Sequence, residues 1–535
     1  MIAPPGESVP APWPRRRAML AAGAVAVLYL AGVTNCWWPT PDSALYQQLG
    51  RNLVEGRGYR FNGQVNTEVT PGLPVVLGAL RWAFGDGFWA PNLLMAVCGL
   101  GALGMAYLTL ARRTDRRTAW LVVLGVSLCY RSYDYSHLIL TDAPFALLFW
   151  LLAYATVRAM AGTRWWLAAI VPLAVASAVI RAPGLIVLGP WAASVVLDRA
   201  SPARVSKRLV VAAAVLAPAV AIVGGFYWLA RSVADAAPAY ATGAGNGAGL
   251  PGRLYQVALG WVRLGGAMVD SFTAQRSPWL APVGVALVAL AVIGGVVLWR
   301  RGRRLLAATC LLNLVGVCFL VGAASVRARY LMPLYPMILL LVLTGLLSGA
   351  RWWMRRRGRP VSPKTLAKAA GAFVALLVIA NAFLVLRHAV VYSVMGHLGR
   401  YHEFIEGGRY RDLYAAGEFL RDRVGPEERI AARWDRVRML HFLTGRRIEP
   451  LLAQYDRWKP CHAQRVYDDF RRSGCDVVLF DTGGLYKPYA RYVAERFDAA
   501  DDLDVLYRGT TITIYRRRGP ATQASAGRSA SGGGG

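Results

Sequence analysis

Acidic residues are scarce in this chain: 30 Asp and Glu stand against 61 Lys and Arg in 535 residues, a formal net charge of +31. Histidine is rarer still, with six residues, and the seven cysteines (36, 98, 129, 310, 318, 461 and 475) contain no CxxC spacing. No zinc motif or disulfide framework is legible, and five of the cysteines lie in or beside apolar stretches, where cysteine behaves as a small hydrophobe. Cys461 and Cys475 are the one pair open to a bridge in an oxidising compartment. No internal repeat is visible, and repeat-related halves are the usual mark of a transporter.

What the chain has instead is apolar sequence, 56% of its residues with a mean hydropathy of +0.36. In a soluble protein the positive charge would suggest nucleic acid. Here the arginines sit in short runs between apolar blocks, so membrane topology accounts for them and no nucleic-acid partner is expected. The blocks fall at 18–36, 88–110, 118–131, 138–158, 165–180, 184–197, 209–230, 279–299, 305–325, 330–349 and 366–387, which predicts a mainly α polytopic membrane protein of about 11 transmembrane helices. The basic flank of the first block resembles a signal peptide without a convincing cleavage site, so it reads as an uncleaved first span after a cytoplasmic tail, residues 1–17.

The stretch "PGLPVVLGALRWAFGDG" at 71–87 has an apolar core of about 14 residues broken by Pro74 and Arg81, which suits a re-entrant or interfacial helix better than a crossing. Counted as a dip, it leaves the Arg clusters at 15–17, 112–117, 300–304 and 351–359 on the cytoplasmic side. The transmembrane domain then covers 18–390, with an outward first loop at 37–87 and the C-terminus outside. Residues 395–518 alternate helical and β-rich runs and are expected to form a small extracytoplasmic α/β domain. The tail 519–535 is low in apolar residues and is expected to be disordered.

Two acids stand at membrane boundaries. Asp42 opens the polar segment after the first block, and Asp142 lies in "TDAPF" near the outer end of another. An acid so close to hydrocarbon is a functional candidate. Each also has a structural reading. Thr40 as N-cap, Pro41 at the first position and Asp42 in the first turn would start a helix, and Thr141 would cap ahead of Asp142. In "SALYQQLGRNLVEG", Leu45, Leu49 and Leu53 fall on one face, which predicts a helix lying along the membrane surface. His137, five residues before Asp142, is a candidate proton or metal partner, although a lone histidine in a polar loop is more often neither.

The order of these features, with Asp42 and Tyr46 as D-x-x-x-Y, then "LGRNLVEGRGY", Glu68 and "TPGLPVVLGAL", later "TDAPF", "IRAPGL" and "ARYLMPLYP", resembles the GT-C membrane glycosyltransferases. The branch it is most similar to holds protein O-mannosyltransferases, lipid A aminoarabinose transferases and rhizobial lipopolysaccharide-core transferases. The resemblance implies a sugar donor on a polyprenyl-phosphate carrier, a glycolipid, polysaccharide or protein acceptor, and transfer with inversion at the outer face of the cytoplasmic membrane. It implies Asp42 as the essential first-loop acid that orients or deprotonates the acceptor hydroxyl, with Asp142 as the second-loop acid. Tyr46, Glu68 and Tyr330 are implied in substrate binding, and Arg181, Arg327 and Arg329 are candidates to hold the lipid phosphate or to snorkel to the interface. One departure stands out. Aminoarabinose transferases carry E-K-P-P where this chain has Glu68-Val69-Thr70-Pro71, which removes a lysine from the donor-phosphate site. The family includes metal-assisted and metal-free members, so a divalent metal stays open and no metal ligand is assigned. A transporter or lipid flippase, and a non-catalytic envelope-assembly protein, are the alternatives.

Overall fold

The protein is described from a computed structural model over residues 15–163, 165–199, 201–233, 250–273, 278–320, 328–358, 361–400, 409–451, 461–481 and 487–518. The chain divides into two compact units, one of Met1–Asn35 with Val65–Val394 and the other of Cys36–Gln64 with Met395–Gly535. The first loop is therefore cut within the 37–87 segment, its opening part belonging with the C-terminal residues.

Among the described residues of the larger unit each apolar block holds a helix, for a simple reason: in hydrocarbon each backbone N–H and C=O has to be satisfied within its own segment. Among the described residues, six helices are long and apolar enough to cross a membrane: Trp89–Arg113, Asp142–Met160, Val205–Leu229, Ala281–Arg300, Ala328–Arg356 and Pro363–Met395. The remaining blocks give shorter helices, including Arg15–Ala31, Arg116–Ser127, Trp165–Ile180, Leu185–Leu197 and Arg304–Leu320. Residues 71–87 hold a helix, Gly72–Phe84, whose 13 residues span about 20 Å at 1.5 Å per residue, short of a bilayer's roughly 30 Å hydrocarbon core. One long helix, Leu250–Thr273, falls outside every apolar block. Its arginines and Asp270 dilute its hydropathy, and it packs against Ala281–Arg300 and the short helix Tyr130–Tyr135.

Burial sorts the spans. Asp142–Met160 and Ala328–Arg356 are buried along most of their length, whereas Pro363–Met395 is mostly exposed. Its exposed residues Leu376, Ile379, Phe383, Leu386 and Val390 repeat at three and four, one apolar stripe of the kind that faces lipid. Glycines set the closest approaches. A Cβ on Gly294 would collide with the carbonyl of Leu341, and one on Gly345 with the carbonyl of Leu290, so helices Ala281–Arg300 and Tyr335–Arg356 cross backbone against backbone. Gly265 and Gly284 do the same for Leu250–Thr273 and Ala281–Arg300, with a Cβ on Gly284 only 2.6 Å from the Gly265 carbonyl. Without a hydrophobic driving force between helices in lipid, such small-residue contacts carry the association.

The smaller unit is built on a five-stranded mixed sheet. Its strands are β1 (Ile430–Arg433), β2 (Ile448–Leu451), β3 (Val477–Asp481), β4 (Leu503–Arg508) and β5 (Ile512–Arg517), in the order β2-β1-β3-β5-β4. β1 pairs in parallel with β2 and β3, and β5 pairs antiparallel with β3 and β4. Alternation along β3 sends Val478 and Phe480 into a core with Val466, Phe470, Val493, Phe497 and Tyr515, from the helices Cys461–Ser473 and Lys487–Asp498 and from β5. Helices Arg409–Arg423 and Trp434–Thr444 pack together, the first touching β5 and the second β1 and β2. The turn before β2 is fixed by Arg446, whose guanidinium donates to the carbonyls of Leu420, Val424, Gly425, Pro426 and Glu428. Cys475 is a buried free thiol, so the bridge considered for Cys461 and Cys475 is not formed; burial pushes this thiol up from its usual value.

Replacing Gly294 by Leu is expected to lower the thermal unfolding midpoint of detergent-solubilised protein, on the scale of about 1–3 kcal/mol for overpacking or more where backbones touch. Gly224→Leu, at a position with nothing within 4 Å of a Cβ, is expected to leave the midpoint unchanged. Differential scanning fluorimetry on the two variants makes the comparison.

Candidate functional site

Asp42 stands in the first turn of the helix Pro41–Val54, and the start of that helix is fixed by its own sequence. Thr40 is the N-cap: its hydroxyl accepts the Ser43 N–H at 3.0 Å, while the Thr40 N–H donates to the Ser43 hydroxyl at 3.0 Å, a reciprocal box with Pro41 at the first helical position. The Trp37 indole N–H donates to the same Ser43 hydroxyl at 3.0 Å. The helix start read from Thr40, Pro41 and Asp42 is thus present. The leucines expected to rest on a membrane surface pack on protein instead: Leu45 and Leu49 are buried, and the helix lies along Trp434–Thr444. Leu53, the third residue of that face, is half-buried.

That packing brings a cation to the acid. Arg438 Nη1 lies 3.1 Å from Asp42 Oδ1. One helical turn on, Phe442 packs edge-to-face with the Trp37 ring, centroids 4.7 Å apart, and carries the Arg51 guanidinium over its ring at 5.2 Å. Tyr46, one turn after Asp42, is buried, and burial with Tyr46 nearby pushes the Tyr59 phenol up. The turn at Asn62–Gly63, both with positive φ (52° and 82°), is tied to the sheet. The Asn62 amide exchanges two hydrogen bonds with the Ile448 backbone, at 2.8 and 2.9 Å. The Asn62 N–H donates to His441 Nε2 at 3.3 Å, and His441 Nδ1 faces the Arg446 carbonyl at 2.6 Å. These partners require a neutral imidazole with its proton on Nδ1. Burial, helped by Arg57 and Arg51, holds the His441 pKa below 6.5.

In the larger unit the three later motifs meet at one corner. Arg181 of "IRAPGL" lies 2.7 Å from Asp142 Oδ1 and donates to the Thr141 hydroxyl at 2.9 Å. The cap expected from Thr141 is therefore absent: its side chain makes no cap bond and serves Arg181 instead. Gly184 is required beneath the Phe145 ring, which leaves no room for a Cβ. "ARYLMPLYP" is pinned by the Trp150 indole donating to the Pro333 carbonyl and by the Tyr335 hydroxyl donating to the Ala328 carbonyl, each at 2.9 Å. Arg181 and Arg329 both lie over the Tyr330 ring, at 5.6 and 5.4 Å. Together with Phe145, Pro183 and Pro333 these three residues line a small cleft.

Glu68 is half-buried in the segment leading to the helix Gly72–Phe84. Gly72 rests against the backbone of Val179, where a Cβ would stand 2.6 Å from the carbonyl, two residues before Arg181. The PGLP motif thereby brings the Glu68 segment toward the Arg181 turn. His137 is not a partner of Asp142; its two ring nitrogens face the carbonyls of Tyr133 and Tyr29 at 2.8 and 2.9 Å. Arg327 lies outside the described residues. Among the described residues no group of three or more His, Cys, Asp or Glu side chains is placed to hold a metal ion.

Sequence reasoning did not find Arg438, or a second buried network in the larger unit. There Arg131 bridges Asp270 at 2.8 Å and Asp134 at 3.2 Å, the Tyr392 hydroxyl reaches Asp134, and Tyr130 meets His388 at 2.8 Å. Asp134 lies three residues from Arg131 on the same helix, but Asp270, Tyr392 and His388 come from distant segments.

No family model and no curated protein matches the chain. Solved structures do. The chain is similar to ArnT from Cupriavidus metallidurans bound to undecaprenyl phosphate, at 15% identity and TM-score 0.55, covering 95% of this chain and 99% of that one. It is also similar to the archaeal oligosaccharyltransferase AglB from Archaeoglobus fulgidus in complex with an inhibitory peptide and a dolichol-phosphate, at 12% identity and TM-score 0.54, covering 94% and 74%. At these identities the likeness is one of fold along nearly the whole of this chain.

Removing either member of the buried Asp142–Arg181 pair is expected to destabilise the protein by about 3–5 kcal/mol, and removing both by less, since one unmatched buried charge is worse than none. A thermal-denaturation cycle of Asp142→Asn, Arg181→Gln and the double variant measures this. A pH effect follows from His441. Its folded-state pKa is depressed, so the stability it contributes is present above the unfolded value of 6.5 and is lost as pH falls below it. The protection of the Asn62 backbone N–H, its exchange rate taken relative to the intrinsic rate at each pH, should therefore fall between about pH 7.5 and pH 5 in the wild type, and lose this dependence in His441→Phe.

Proposed function

We propose that this chain is a membrane glycosyltransferase that takes a sugar from a polyprenyl-phosphate carrier and passes it, with inversion, to a cell-envelope acceptor at the outer face of the cytoplasmic membrane. The observation that carries the reading is the likeness of fold along nearly the whole chain to a protein bound to undecaprenyl phosphate, joined by a second bound to dolichol-phosphate. The sugar is a hexose or pentose and the acceptor a glycolipid, polysaccharide or protein.

In the proposed step the acceptor hydroxyl oxygen attacks the anomeric carbon. The bond from that carbon to the carrier phosphate breaks, its electron pair leaving with the polyprenyl phosphate, and the hydroxyl proton passes to Asp42. A single displacement with one base inverts the anomeric centre. Arg329 and Tyr330 are assigned to the carrier phosphate, a role suited to a guanidinium fork that also offsets leaving-group charge. Arg181 edges the same cleft, and Asp142 acts by holding it. Tyr46 and Glu68 are assigned to substrate contacts. Val69 and Thr70, in place of lysine and proline, set the chain apart from aminoarabinose transfer.

The test supplies membranes containing the full chain with a panel of radiolabelled undecaprenyl-phosphate hexoses and pentoses. Transfer from one member is expected in the wild type and is expected to fall by at least about 10²-fold in Asp42→Asn, with the protein inserted in normal amounts. Undiminished transfer by Asp42→Asn, or uptake of sugar without transfer, would refute the reading.

A further inference from the structure

We infer that Arg438 is a positioning residue for the transfer reaction, fixing the carboxylate of Asp42 in the orientation that receives the acceptor proton. The inference rests on the reading of Asp42 as the base. It makes the C-terminal part of the chain, more than 390 residues further along, a component of the reacting apparatus and not an appendage.

The capping box fixes the backbone of Asp42 but not its side chain, which can still turn about two bonds on a helix's first turn. A base has to present a lone pair within hydrogen-bond reach of the hydroxyl it serves, so something must hold that rotation. Arg438 Nη1 at 3.1 Å from Oδ1 does so. The residue is well placed for the task because its helix is anchored on several sides. Arg436 forms a buried ion pair with Asp481 of β3. Met439 and Leu440 are buried in the smaller unit. His441 is tied to Asn62 and to the Arg446 carbonyl, and Phe442 is held by Trp37 and Arg51. A guanidinium on such a rigid stem sets an angle as well as a charge. The pair itself is partly exposed, 24% and 27% for the two side chains, and such pairs contribute little to folding. Stability alone does not account for a cation held on this acid.

The experiment compares Arg438→Lys, Arg438→Gln and Arg438→Ala in the full chain, using the undecaprenyl-phosphate donor that registers Asp42-dependent transfer. Arg438→Gln is expected to lose roughly 10²-fold in kcat, as misplacement of a reacting group does, with the donor KM changed by no more than about twofold. Arg438→Lys is expected to recover to about a tenth of the wild-type rate, a charge without the fork. The partial exposure of the pair lets a small cation in, so added guanidinium ion should restore turnover to Arg438→Ala and leave Asp42→Asn inactive. Wild-type turnover by Arg438→Gln, with Asp42→Asn inactive, overturns the inference and spares the function. A loss that only tracks a lowered unfolding midpoint, with no guanidinium rescue, overturns it as well. Full activity of Asp42→Asn removes the base and the inference together.

Discussion

The contact between Trp37 and Phe442 decides where the first loop of this protein belongs. Trp37 does two things at once: its ring packs edge-to-face with Phe442, and its indole N–H reaches the Ser43 hydroxyl that closes the capping box. The same residue thus seats the helix Pro41–Val54 on Trp434–Thr444 and fixes where that helix begins. Asp42, Tyr46 and the Asn62 turn take their places from it. An amphipathic helix placed on a membrane by its leucines would keep freedom to slide and rotate, whereas one seated by an aromatic pair and a cation on the same ring has one register.

Charge in the larger unit follows a different economy. Its acids are few, and the described ones deep in the unit face arginine: Asp142 with Arg181, Asp198 with Arg113 at 2.9 Å, and Asp134 and Asp270 with Arg131. A carboxylate without a counterion in that setting would be costly, so these pairs are the condition on which acids can be present there at all. The excess arginines lie mostly at the helix ends, several over aromatic rings, as Arg356 is over Trp352 and Arg357 over Trp353. The scarcity of acids in the sequence and the arginine pairs in the structure are two views of one constraint.

How much of this could be read from the chain alone depends on the distance over which each signal acts. Helix periodicity and apolar blocks are local, and among the described residues each block holds a helix. Thr40, Pro41 and Asp42 are local too, and the helix start they spell is present. The Gly and Pro motifs named residues that do meet, since Gly72 and Gly184 are each required by a close backbone or ring contact and the Pro333 carbonyl receives the Trp150 indole. Three things were not legible. The helix Leu250–Thr273 has too many charges for a hydropathy reading. The hydroxyl of Thr141 looked like a cap because its real partner, Arg181, is 40 residues away. Arg438 is one arginine among many, and nothing in "RWDRVRMLHF" distinguishes it until the fold puts it beside Asp42.

The pairing of the Asn62 side chain with the Ile448 backbone has a consequence for how the protein comes to be made. The two residues are 386 apart in sequence, so at roughly 5–20 residues per second a ribosome needs about 20–80 s to supply the second after the first. Throughout that interval the first loop has no sheet edge to dock on and no Phe442 to receive Trp37. The loop that carries the acid can settle only when the last fifth of the polypeptide has emerged, which ties the finishing of the site to the finishing of synthesis and leaves a truncated chain with its first loop undocked.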